Sequence, residues 1–219
     1  MSRPLHIWAA LAALAPAAAL ANLLTHADPG EWQLGDVPPK PWQHSDRDDG
    51  VEVRSVRHAE RVWIELRDDS TEKSASLRQE FSPLRAGRLS FRLALARDHV
   101  GEFGIYLGQG NASAPVERVV DLKTSGRGLW LIGSAGERVE TRAQVTPGMQ
   151  DHLFVDFEPV GHDLQLRLGR LADDGTEIVL GEAVMPQQAH PVTRLRVTTD
   201  NLPRGGRVLL TDLVLIARP

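Results

Sequence analysis

The sequence predicts an all-β protein, a two-sheet antiparallel jelly-roll sandwich. Three observations carry that prediction. Apolar residues alternate with polar ones along most of the chain, the period of a half-buried strand. Turn signals punctuate the pattern roughly every 8–12 residues, the spacing of a sandwich or barrel. No helical periodicity of useful length follows the N-terminal apolar run. The clearest stretch is Phe81 to Gly108. There Leu89, Phe91, Leu93 and Leu95 alternate with Arg88, Ser90 and Arg92, and Phe103, Ile105 and Leu107 alternate with Gly104 and Tyr106. Two neighbouring strands of this kind bury one face and leave the other wet.

At 219 residues the chain is long enough for one large β domain. Its net charge of -4 supplies no basic field for nucleic acid. Aromatic residues make up 5% of the chain, which argues against a groove built from several stacking platforms. There is no cysteine, which excludes disulfides, thiolate metal sites and a lipid-modified cysteine.

Residues 1–21 read as a signal peptide. Arg3 supplies the positive start, Leu5 to Leu20 is an Ala-rich apolar run broken by Pro16, and Ala19-Leu20-Ala21 fits the small-x-small cleavage rule. The run is short for a membrane span of about 20 residues, so cleavage after Ala21 is expected rather than an anchor. A periplasmic or secreted, bacterial protein with Asn22 at its mature N-terminus follows. Residues 22–45 form a lead-in. Pro29, Pro38, Pro39 and Pro41 oppose regular structure, while Trp32 and Trp42 predict that the segment packs along the sandwich. The β-sandwich domain occupies residues 46–219.

Strands are expected in order. Val51, Val53 and Val56 follow the turn Asp48-Asp49-Gly50. Val62, Ile64 and Leu66 end at Asp68-Asp69-Ser70. Leu77 to Phe81 leads into the pair described above. Val116–Lys123, Gly128–Ile132 and Glu137–Val145 come next, with a turn at Ser134-Ala135-Gly136. His152–Glu158 and Leu164–Leu168 alternate strongly. Asp173-Asp174-Gly175 marks a hairpin. Ile178–Leu180, Leu195–Val197 and Val208–Ala217 complete the set. Without a short repeat, neither a propeller nor a solenoid is expected.

The order of F-S-P-L-R-A-G (Phe81 to Gly87), F-R-L-A-L (Phe91 to Leu95) and F-G-I-Y-L-G (Phe103 to Gly108) is followed by two further segments. These are P-G-M-Q-D-H-L-F-V-D-F (Pro147 to Phe157) and the last strand L-L-T-D-L-V-L (Leu209 to Leu215). Together they resemble the concanavalin A-like lectin/glucanase superfamily, in the form common in exported bacterial proteins. The resemblance runs from Asp46 to Arg218 and rests on strand pattern and turns. It implies a jelly-roll sandwich and contact with glycans. That superfamily holds lectins, laminin-type modules, glycoside hydrolases and polysaccharide lyases, so no single reaction is implied.

No residue set meets a catalytic pattern. The glucanases of the superfamily carry E-x-D-x-E on one strand; here Asp156 and Glu158 share a face, but Phe154 stands where the first acid belongs and Pro159 follows at once. The pair is expected to be a solvated strand face. The lyase motifs R-x-E-x-R and Q-[IV]-H are absent, with Arg194-Leu195-Arg196 and Gln188-Ala189-His190 their nearest echoes. The eight histidines show no ligand spacing, and there is no G-x-S-x-G elbow. Asn111-Ala112-Ser113 matches a glycosylation sequon, expected to be chance in a bacterial chain.

The candidate ligand-binding residues are Trp130, Tyr106, Arg92 and Arg167. Trp130 lies between Leu129 and Leu131, so an outward indole for sugar stacking is expected beside a buried alternative; Trp63 has the same parity but is read as structural. The candidate ligands of a structural calcium ion are Asp48, Asp49 and Asp212, acids in a turn and in the last strand. The expected function is a non-catalytic exported sandwich binding glycan or another cell-envelope component through its polar sheet face. The alternatives are a polysaccharide lyase or glycoside hydrolase of the same fold, and a structural or assembly protein without a small-molecule site.

Overall fold

A computed structural model describes residues 21–45, 50–70, 72–95, 102–125, 128–186, 190–200 and 206–218. Its strands are β1 (Gln43–His44), β2 (Val51–His58), β3 (Arg61–Asp68), β4 (Ser76–Leu84), β5 (Gly87–Leu95), β6 (Glu102–Gly108) and β7 (Arg118–Thr124). They continue with β8 (Leu129–Ser134), β9 (Glu137–Gln144), β10 (Gln150–Val160), β11 (Asp163–Leu171), β12 (Glu177–Pro186), β13 (Val192–Asp200) and β14 (Gly206–Ala217). The first sheet has the order β1-β4-β13-β6-β7-β8-β9, and the second β12-β11-β10-β5-β14-β3-β2. Every pairing is antiparallel. The chain crosses between the sheets repeatedly, as a jelly roll requires.

Alternation builds the core. Leu89, Phe91 and Leu93 of β5, Leu153, Val155 and Phe157 of β10, and Leu164, Leu166 and Leu168 of β11 point inward from the second sheet. Phe103, Ile105 and Leu107 of β6 meet them from the first, with Leu195 and Val197 of β13 and Leu122 of β7. Tight turns set the register. The β2–β3 hairpin turns at Ala59 and Glu60, both at positive φ (46° and 68°), the type I′ geometry whose twist matches its strands. The β8–β9 hairpin uses Ala135 and Gly136 in the same way.

The strand expected from Val116 begins two residues later. Pro115–Glu117 form a 3-10 turn, and the Glu117 carboxylate accepts from the amides of Ser113 and Ala114. Proline at the start of that turn removes an amide the sheet would need, and Val116 is left exposed.

The lead-in closes one side of the sandwich. Where β3 stops pairing with β14, Asn22 takes over: its side-chain amide donates to the Leu213 carbonyl and its oxygen accepts from the Leu215 amide. The Gln79 side chain pairs both backbone groups of Thr25. Gly35 and Asp36 bond to the backbone of Ser55 on the open edge of β2. Trp32 and Trp42 are buried in the same core as the sheets, and the Trp42 indole N–H donates to the His26 carbonyl. Two tryptophans spaced by prolines thus dock the segment, as the sequence predicts.

Candidate functional site

The outward face of the second sheet is organised around Asp156. Alternation along β5, β10, β11 and β12 places Arg88, Asp156, Arg167 and Glu182 side by side in one cross-strand row. Asp156 is 5% exposed. It accepts from Arg88 Nε at 2.6 Å and Nη2 at 2.9 Å, from Arg167 Nη2 at 2.6 Å, and lies 3.1 Å from Arg218 Nη2. Glu177 shares the same arginines, 2.5 Å from Arg88 Nη1 and 3.1 Å from Arg167 Nη2. Burial pushes the Asp156 carboxyl up, but the hydrogen bonds from Arg88 and Arg167 and the charges of Arg88 and Arg218 outweigh it and hold the group below the usual carboxylate range. Arg88 hydrogen bonds lower Glu177 as well, against a smaller effect of burial.

Beneath this network lies Phe154, fully buried although it points outward. Its ring lies over Gly169, where a Cβ would sit 2.2 Å from Cζ. The Arg88 guanidinium stacks 4.0 Å from the ring centroid. Beside the row, Asp156, Glu158, Gln165, Arg167, Glu182 and Arg218 line a cleft of about 280 Å³. Its walls offer carboxylate acceptors next to guanidinium and amide donors.

The first sheet repeats the theme. Tyr106 lies over Gly104, whose Cβ would fall 2.0 Å from the phenol oxygen, and Arg118 stacks 3.8 Å above the ring. Asp121, opposite Tyr106, is fully buried. Arg138 reaches it across Gly133, at 2.8 Å from Nε and 2.7 Å from Nη2. Burial raises the Tyr106 phenol above its ordinary range.

The four expected ligand-binding residues do not converge. Trp130 is 1% exposed and packs edge-to-face on Phe103 inside the sandwich, with a centroid separation of 5.5 Å. The outward-indole expectation is therefore corrected. On β8 the inward pair is Trp130 and Ile132, and Leu129 and Leu131 take the half-exposed face. Alternation in an all-apolar strand names two faces without saying which is inside. Tyr106 is buried under Arg118 on the first sheet. Arg92 and Arg167 share the outer face of the second sheet but serve different carboxylates: Arg167 belongs to the cleft, while Arg92 Nε donates to Asp212 at 2.9 Å. Trp63 is also buried, its indole N–H donating to the His58 carbonyl.

Asp48 and Asp49 lie outside the described residues. Asp212 sits at positive φ (53°) in a bulge of β14, between Thr211 and Val214. One of its oxygens meets both Arg92 and Arg61, at 2.9 and 3.1 Å, so it fits a guanidinium pair rather than calcium. Among the described residues no three His, Cys, Asp or Glu side chains gather as a metal site requires. Asp156, expected as a solvated acid, is instead ion-paired and buried, and Glu158 keeps the exposed position. Sequence reasoning missed Arg88, Glu177, Glu182 and Arg218 because their convergence depends on which strands become neighbours.

No protein-family model and no curated relative matches this chain. Solved structures do. The fold is similar to a sialidase, with a TM-score of 0.62 and 11% identity, over 80% of this chain and 17% of the sialidase. It is similar to a structure described under endo-acting O-glycanases of the human gut microbiota that initiate mucin breakdown, with a TM-score of 0.54, 13% identity, and 84% and 95% coverage. An exo-β-agarase matches with a TM-score of 0.51 at 9% identity, over 91% of this chain and 26% of that one. These likenesses agree with the two-sheet jelly-roll sandwich expected from the sequence. The likeness is one of fold, and this chain spans a small part of the sialidase and the agarase.

Proposed function

We propose that this protein is an exported, non-catalytic sandwich that binds a glycan in the polar cleft of its second sheet. The carrying observation is that cleft: Glu158 and Glu182 present acceptors, while Gln165, Arg167 and Arg218 present donors across neighbouring strands. Vicinal sugar hydroxyls both donate and accept, and such mixed walls suit them. The similar structures described as a sialidase, mucin-degrading glycanases and an agarase support a saccharide ligand at the level of class. Recognition here would run through hydrogen bonds, because Trp130, Tyr106, Trp63 and Phe154 are all buried and offer no stacking platform.

Binding is favoured over hydrolysis by Asp156. A general acid must hold a proton near neutral pH, and three guanidinium groups keep this carboxyl ionised. Export rests on the signal-peptide pattern of residues 1–21, and Asn22, the residue after the expected cut, is hydrogen-bonded to β14. A glycan array with the exported protein tests the reading, with calorimetry on any hit. Gln165→Ala and Glu158→Ala should weaken binding about tenfold each, at about 1–1.5 kcal/mol per lost hydrogen bond. Binding of no glycan, or binding unchanged in both variants, overturns it.

A further inference from the structure

The opposite face, on the first sheet, carries a second feature. Alternation on β4 and β13 sends Leu77, Gln79, Leu195 and Val197 inward, and so Arg78, Arg194 and Arg196 outward. Arg78 and Arg196 are direct cross-strand neighbours, and Arg196 is in turn paired with Tyr106. Arg118 reaches the same patch from β7, stacked on Tyr106. Four guanidinium groups thus share one half-buried corner.

Their compensation is incomplete. Arg194 pairs with Glu80, and Arg118 with Asp121. Among the described residues Arg78 and Arg196 have no carboxylate within ion-pair distance. Arg78 donates to Gln43 and, at 3.4 Å, to the Asn111 side-chain oxygen; Arg194 donates to that same oxygen at 2.7 Å. Among the described residues Arg196 reaches the Asn111 carbonyl alone, at 3.5 Å, and its buried Nε has no hydrogen-bond partner there. One neutral amide oxygen therefore stands where two cations converge. Burial, and then the charge of Arg78, pull Arg194 and Arg196 below the ordinary guanidinium range, with Arg118 adding to the effect at Arg196. Like charges held at short range with a buried donor left over are complementary to an oxyanion.

We propose that the corner formed by Arg78, Arg118, Arg194 and Arg196 binds one oxyanion group, the sulfate or carboxylate of an acidic saccharide. The small, half-buried patch fits a single group rather than a polyanion track, and the chain's net charge of -4 repels a long polyanion elsewhere. The oxyanion half of the proposal stands on the guanidinium groups alone. The saccharide half rests on the glycan reading above.

The experiment measures thermal stability and calorimetric binding of the exported protein. The probes are inorganic sulfate, a sulfated oligosaccharide, a uronate oligosaccharide and a neutral oligosaccharide of equal length. Asn111→Asp places a carboxylate inside the corner. It should raise the melting temperature and abolish the stabilisation that sulfate gives the wild type. Arg196→Gln should weaken the acidic oligosaccharide by about ten- to a hundredfold, the range for a charge-assisted hydrogen bond, and leave a neutral ligand of the other face unaffected. The sulfated and uronate arms separate the two oxyanion sources. Equal sulfate response in wild type and Asn111→Asp overturns the site. A sulfate response that depends on Asn111, with no saccharide bound, overturns the saccharide half and the glycan reading while the anion site stands.

Discussion

Asp156 holds three arginines from three segments of chain, β5, β11 and the residue after β14. Its removal would leave Arg88, Arg167 and Arg218 crowded, with Glu177 still paired to the first two. Asp156→Ala should therefore destabilise the fold by about 3 kcal/mol, the scale for breaking a buried pair from one side. The pH dependence has a definite sign. The folded Asp156 carboxyl lies below its unfolded value, so its contribution is complete above the unfolded value and is lost as pH falls through the folded one. Denaturant titrations at falling pH should show stability declining below about pH 4, the ordinary carboxylate range. Asp156→Asn should flatten part of that decline. A decline of unchanged slope in the variant would show that other carboxylates carry it.

One outward aromatic on each sheet, Phe154 and Tyr106, is buried by the same device. Phe154 covers Gly169 on a neighbouring strand, and Tyr106 covers Gly104 on its own; an arginine then stacks on each ring. The glycines are required by space, since neither has the positive φ that would call for one. A methyl group there would displace a ring that cannot move into the guanidinium above it. Gly169→Ala and Gly104→Ala should each cost about 2 kcal/mol, the scale of overpacking, read as a lower denaturation midpoint with unchanged slope. A neutral effect would mean that the ring has an alternative seat. The alternation of β6 and β10 is plain in the sequence, but the fate of its outward aromatics is not. A period of two separates faces, and whether an outward ring is wet depends on the glycine and arginine that neighbouring strands supply.

At the scale of the whole molecule, the segment before β1 completes the sandwich. Asn22 extends the edge of β14 where β3 leaves it, and Leu24, Ala27, Trp32 and Trp42 add to the shared core. Export should yield a mature chain beginning at Asn22, which N-terminal sequencing reads directly. Deleting residues 22–28 from that chain should lower its melting temperature by several degrees, since burial of Leu24 and Ala27 and the Asn22 and Thr25 bonds are lost together, about 2–4 kcal/mol in sum. An unchanged melting temperature would make the segment a passive tether.

The sequence by itself determined the all-β class, nearly every strand, and the inward faces of β5, β6, β10 and β11. Those depend on local alternation and on turn residues such as Gly50, Gly136 and Gly175. It also determined that the tryptophans of the lead-in pack down. Only the tertiary structure decided the rest. It turned Trp130 inward, where an all-apolar strand left either face open. It made β5, β10, β11 and β12 neighbours, so that Arg88, Asp156, Arg167 and Glu182 meet although 94 residues of sequence separate the first from the last. It left Arg78 beside Arg196, and Arg78 and Arg194 converging on one side-chain amide oxygen, that of Asn111. Charge partners are chosen by strand order and register, which no local pattern encodes, and a site made of cross-strand charges becomes visible only when the sheets close.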